Sequence, residues 1–141
     1  MVNASTSENS STSNCVRTET VVSKLKQLPD GWGGEMTKKP SLEAMARLKK
    51  LLLVLERSHM PWPSITAVGN GGFMLTWISM TRDVMVTVDP VGDMQYATAL
   101  KKLDPETFEI IERYDTEGVV TDAVTIDQML AWYSTDKAHA V

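Results

Sequence analysis

Apolar and polar residues alternate along most of the stretch 62–98, and this is the strongest pattern in the chain. Ile65 and Ala67 alternate with Ser64, Thr66 and Val68. Phe73, Leu75 and Trp77 share one side of a second run, and Met74, Thr76 and Ile78 share the other. Val84, Val86 and Val88 oppose Met85 and Thr87 in a third, and Met94-Gln-Tyr-Ala-Thr98 forms a fourth. The runs are parted by Gly69-Asn70-Gly71-Gly72, by a short break after Ser79, and by Asp89-Pro90-Val91-Gly92-Asp93, so they predict an antiparallel meander. One face of that meander is apolar. The other is half apolar, through Met74, Ile78 and Met85, where a face meant for water carries more charge. Either a terminal segment covers this second face or a partner does; the sequence leaves both open.

Elsewhere the spacing is helical. Val21, Val22, Leu25 and Leu28 form one stripe, predicting a short helix from Thr18 or Thr20 to Leu28, stopped by Pro29-Asp30-Gly31. A longer helix is expected from Leu42 to about Ser58. Ser41 caps it, and Leu42, Met45, Leu48, Leu52 and Leu55 mark its apolar face. Leu51-Leu52-Leu53-Val54-Leu55 is apolar nearly all round, so this helix is expected to be covered on more than one side. Pro61 and Pro63 then force an extended path into the sheet. Asp104-Pro105-Glu106 reads as a helix start, giving a short helix over Thr107 to Tyr114, with an edge strand as the alternative. A final helix starts at Thr125 or Asp127 and passes Met129, Leu130, Trp132 and Tyr133. The expected architecture is α+β: a four-stranded antiparallel meander packed against one long helix, with short N- and C-terminal helices. Residues 17–134 form the single domain. Residues 1–16, rich in Ser, Thr and Asn, are expected to be disordered, and residues 135–141 to fray.

Composition narrows the picture. No run approaches the length that spans a bilayer, and no signal-peptide core is present, so a cytoplasmic setting is expected. Cys15 is the only cysteine, which rules out an internal disulfide; it is expected at an exposed junction with no neighbour to activate its thiol. Net charge is −4 but unevenly spread. Residues 15–57 hold nine Lys/Arg and five Asp/Glu, whereas residues 104–127 hold eight acids and only Arg113. Such bipolarity fits solvated helix faces, head-to-tail association, or an acidic surface that meets a basic partner.

Few residues are placed to do chemistry. His59 and His139 lack an evident nucleophile or carboxylate partner, so a catalytic triad is not expected. One cysteine and two distant histidines do not make a zinc site. The acids Asp104, Glu106, Glu109 and Glu112 lack the rhythm of a calcium loop. Lys38-Lys39 and Lys49-Lys50, with Trp32, make only a modest basic patch, so direct nucleic-acid binding is not expected. The acidic 104–127 segment could instead imitate a phosphate backbone. In Leu28-Pro-Asp-Gly-Trp-Gly-Gly-Glu35, glycines surround Trp32. The indole either pins the loop to the domain or contacts a partner.

The Pro29-Asp-Gly-Trp-Gly loop, the Pro40-Ser41 helix, Pro63-x-Ile65 and Gly71-Gly72-Phe-x-Leu75-x-Trp77 together resemble a loose group of small bacterial and phage or plasmid-borne proteins. The resemblance covers about residues 24–98. It implies a mobile-element setting and a role in host takeover or defence evasion, and it brings no catalytic residues. The expectation is a non-enzymatic module, without cofactor or metal, that binds and inhibits a host protein. Trp32, Met74, Ile78, Met85, Glu109 and Glu112 are its contact candidates, since aromatics and methionines favour interface cores. Homodimerisation through exposed edge strands is a further expectation. The alternative is a small-molecule-binding domain or small enzyme with a pocket between sheet and helix.

Overall fold

The computed structural model describes residues 15–121 and 123–139, with side chains for 15–121 and 125–135. The stretch 1–16, expected to be disordered, therefore lies almost wholly outside the described residues.

The first helix, α1 (Val16–Lys26), starts two to four residues and stops two residues earlier than its stripe suggests. Its beginning is set by a neighbour rather than by its own sequence. No side chain of Cys15 caps it. Instead the Glu56 carboxylate accepts hydrogen bonds from the Thr18 N–H (2.8 Å), the Thr18 hydroxyl (2.7 Å) and the Arg17 N–H (3.1 Å). A carboxylate at a helix N-terminus also meets the positive end of the dipole. This docking buries Cys15, which is 6 % exposed rather than at an open junction. Burial raises the Glu56 pKa, but the bonds from Thr18 and Arg17 and the Arg17 charge outweigh it, so the carboxyl titrates below its ordinary value. The folded pKa is depressed. The stabilisation is therefore full above the ordinary carboxyl pKa of the unfolded chain and fades as pH falls through the lower folded value. Glu56→Ala should lower stability by about 1 kcal/mol at neutral pH. Urea titrations of wild type and variant should converge at acid pH, and a gap that persists there would refute this cap.

The loop from Gln27 to Ser41 closes on itself, then α2 (Leu42–Arg57) begins with the expected cap, the Ala44 N–H donating to Ser41 Oγ at 3.0 Å. The Ser41 hydroxyl in turn donates to the Pro90 carbonyl, fixing the start of α2 against the sheet. At its end His59 takes a left-handed conformation (φ 54°) and the Met60 N–H reaches back to the Leu55 carbonyl, the geometry of a Schellman stop. Met45, Leu48, Leu51, Leu52 and Leu55 are buried, with α1 on one side and the sheet on the other. The helix is thus covered on two sides, as its apolar girth implied.

Five antiparallel strands follow in meander order: β1 (Ser64–Ala67), β2 (Phe73–Ile78), β3 (Arg82–Val88), β4 (Met94–Leu103) and β5 (Ile110–Val119). The expected four-stranded sheet gains a strand where a short helix over 107–114 was expected, and the edge strand given as the alternative is what forms. Asp104-Pro105 is a turn and not a helix start. The Asp104 carboxylate accepts from the Glu106 and Thr107 N–H groups (2.8 and 3.2 Å). The Phe108 N–H then closes onto the Asp104 carbonyl, with Phe108 at φ 61°. A side chain that caps a helix caps an Asx turn equally well. The last helix, α3 (Ala123–His139), spans 17 residues against 16 for α2. The structure thus departs from the expectation of one long helix with a short C-terminal one. Its backbone continues past Ser134.

All three helices described lie on one side of the sheet. The front face carries Phe73, Leu75 and Trp77 of β2 and Val84, Val86 and Val88 of β3, cross-strand neighbours by register. These join Leu48, Leu52 and Leu55 of α2 and Ile126, Met129, Leu130 and Tyr133 of α3 in one core. The α3 helix is tied down by the Tyr133 hydroxyl donating to the Ile78 carbonyl (3.2 Å). Arg82 Nη1 also donates to the Trp132 carbonyl, with its guanidinium 4.9 Å from the Trp132 ring centre. Among the described residues no helix is long and apolar enough to cross a membrane.

Candidate functional site

Because α3 joins the front layer, the described part of the C-terminal third does not cover the back of the sheet. No helix among the described residues packs there. In the pleat, Met74, Thr76 and Ile78 of β2 fall on this back face. The register sets Met85 opposite Thr76, and Thr87 opposite Met74. Met74, Ile78 and Met85 therefore gather around one threonine. Ile78 is 67 % exposed, while the methionines are half-buried by their strand neighbours. Ala97 and Ala99 continue the face across β4, opposite Met85 and Asp83. Ala99 is buried there, at 3 % exposure, whereas Ala97 is partly exposed.

One edge of the patch is polar. The Lys101 ammonium pairs with Asp83 at 2.8 Å and donates to the Ser79 carbonyl at 3.0 Å. Lys101 is only 9 % exposed, so its stem lies along the sheet. This pair escaped the sequence reading, which ended its fourth run at Thr98. The signal was present: Ala97, Ala99 and Lys101 keep the alternation going.

The other candidates stand apart. Trp32 is partly buried in the loop before α2, where its Nε1 donates to the Lys38 carbonyl at 2.8 Å. The Lys38 N–H donates to Gly69, which puts this loop at the β1–β2 turn. The indole thus pins its own loop, well away from the β4–β5 turn. Glu109 closes that turn, its carbonyl accepting from the Asp104 N–H at 2.8 Å. Glu112 lies on the front face of β5, where it accepts from the Tyr114 hydroxyl at 2.6 Å. That hydrogen bond, and then the Glu112 charge, hold the Tyr114 phenol above the ordinary tyrosine value.

A cleft of about 620 Å³ opens on the front, between α2, the β3–β4 turn and the start of α3. Leu51, Val54, Met94 and Ile126 supply apolar lining, and Arg47, Lys50, Asp89, Asp93 and Asp127 bring both signs of charge. Arg47 is already engaged, its Nε donating to the Gly92 carbonyl at 3.1 Å. No group of three His, Cys, Asp or Glu side chains that could hold a metal occurs among the described residues. The chain matches no family model, no curated protein and no solved structure.

Proposed function

We propose that this chain is a non-enzymatic interaction module that binds another protein through the back of its sheet, with Met74, Ile78 and Met85 as the central contacts. The observation that carries this reading is the half-apolar face that no helix among the described residues covers. Polarizable, unbranched methionines around an exposed isoleucine suit a surface that adapts to its partner. The resemblance of residues 24–98 to phage and plasmid-borne proteins supports a host protein as the target, with inhibition of that protein as the outcome. In this reading Trp32 shapes the loop, and Glu109 and Glu112 belong to a second surface.

Ile78→Asp combined with Met85→Asp should abolish capture of the partner in pulldowns from the native host read by mass spectrometry. The fold should persist, because neither side chain contributes to the core. A partner retained by the double variant would refute the back face as the site. A second reading, a small-molecule-binding domain, draws on the front cleft, whose volume lies in the range of ligand pockets. Under that reading no protein is captured, and a metabolite raises the melting temperature of the isolated chain.

A further inference from the structure

Among the described residues the sheet has two free edges, and they are built differently. β1 is four residues long and follows Pro61 and Pro63, a short and guarded edge. β5 is ten residues long and free of proline, and almost every side chain along it is exposed. Ile110, Ile111, Tyr114 and Val119 are each more than half exposed. No described strand pairs with its outer side. The backbone phase follows from one bond at the end of the ladder, the Val120 N–H donating to the Met94 carbonyl at 3.0 Å. With the β4–β5 register, it directs the N–H and C=O groups of Arg113, Asp115 and Glu117 away from β4.

Charges on an edge normally repel another strand. Here their order selects one. When β5 lies antiparallel to a second β5 with the same faces aligned, the twofold axis passes through a single residue. An axis at Glu112, Arg113 or Asp115 sets that charge against itself, and at Asp115 this repulsion sits between two Arg113–Glu117 pairs and offsets them. An axis at Thr116 sets Asp115 against Glu117. An axis at Tyr114 alone among these five sets Arg113 opposite the other copy's Asp115, twice, with Glu112 opposite Thr116 and Ile111 opposite Glu117. We propose that the protein self-associates through β5 in this Tyr114-centred register, joining two five-stranded sheets into one.

Other features agree. Arg113 and Asp115 already pair within the strand, Nε to Oδ1 at 2.9 Å, on the back face. In the dimer the two pairs close into an alternating square of charge. Tyr114 meets its symmetry mate at a non-hydrogen-bonded position, where side chains approach most closely. A groove beside it, between β5 and α3, is lined by Leu100, Thr116 and Trp132 and leaves room for the rings. The register shift at Lys102/Leu103 ends the regular ladder, so pairing centres on residues 112–116.

Sedimentation velocity on the full chain, from low micromolar to hundreds of micromolar, tests this. Wild type should pass from monomer to dimer. Arg113→Asp and Asp115→Arg should each weaken the dimer about tenfold or more, by opposing like charges at two symmetry-related places. The exchange variant carrying both should regain the wild-type midpoint to within about threefold. Both positions are exposed, and circular dichroism confirms that the variants fold. A monomer at every concentration overturns the proposal. So does a dimer indifferent to either single change, or one that the exchange fails to restore. The back-face double variant leaves β5 intact, so it should dimerise normally while losing its partner.

Discussion

Leu52→Ala should destabilise the protein by about 3 kcal/mol, while Leu42→Ala should change stability by less than about 0.5 kcal/mol. Both leucines sit on the same apolar stripe by spacing, but only one is inside. Leu52 is fully buried within the core that α2 shares with β2, β3 and α3, whereas Leu42 is 83 % exposed in the first turn. Truncating Leu52 loses the transfer energy of its methyls and leaves a cavity between a helix and a sheet held by the Ser41 and Trp77 hydrogen bonds. Such walls cannot collapse freely, which places the cost in the middle of the known range. Against a total stability of about 5–15 kcal/mol, that loss is large. Urea denaturation should show the midpoint fall for Leu52→Ala with an unchanged slope. Equal midpoints for the two variants would mean that α2 does not pack as described.

The same contrast shows where pattern stops being informative. The front faces of β2 and β3 were legible because burial on one side enforces alternation, and a slip of one residue would turn Phe73, Leu75 and Trp77 into water. The α2 boundaries were legible because Ser41 and Pro61 act locally. β5 was not. A strand exposed on both faces has no buried side to impose a period, and Phe108, Ile110, Ile111 and Tyr114 therefore fit neither template. Asp104-Pro105 then pulled the reading toward a helix. The start of α1 was illegible for another reason: its cap, Glu56, lies at the far end of the next helix. Of the contact candidates, Met74, Ile78 and Met85 were found from the polarity of a single face, and the sheet brings them together. Trp32 was chosen for its type and its glycine neighbours, and the Lys38 carbonyl that holds its indole is invisible to composition. The side of the sheet that α3 takes could not be read at all, since both faces offered it apolar residues.

Gly72 is the most tightly hemmed in of the eight glycines, and Gly72→Ala should cost about 3 kcal/mol. The turn Gly69-Asn70-Gly71-Gly72 explains its glycines in two ways. Gly71 needs its positive φ of 97°, which an L-residue adopts with difficulty. Gly72 is different: a Cβ there would overlap the Val88 carbonyl oxygen, with the Asp89 Cα and Asn70 Oδ1 also crowded at 3.2 Å. Val88 ends β3 and pairs with Phe73, so the obstacle is backbone held in the ladder and cannot rotate aside. Making room means parting β2 from β3 where Phe73 and Val88 are both buried. Gly118 offers the control. A Cβ at Gly118 would lie 2.6 Å from ring carbons of Tyr96, its cross-strand partner, but a partly exposed ring can swing outward. Gly118→Ala should therefore cost only about 1 kcal/mol. Thermal and urea midpoints should rank wild type, Gly118→Ala and Gly72→Ala in falling order. Amide exchange should accelerate around Phe73 and Val88 in the last variant alone. A Gly72→Ala protein as stable as wild type would show that β2 and β3 do not meet as closely as the register demands.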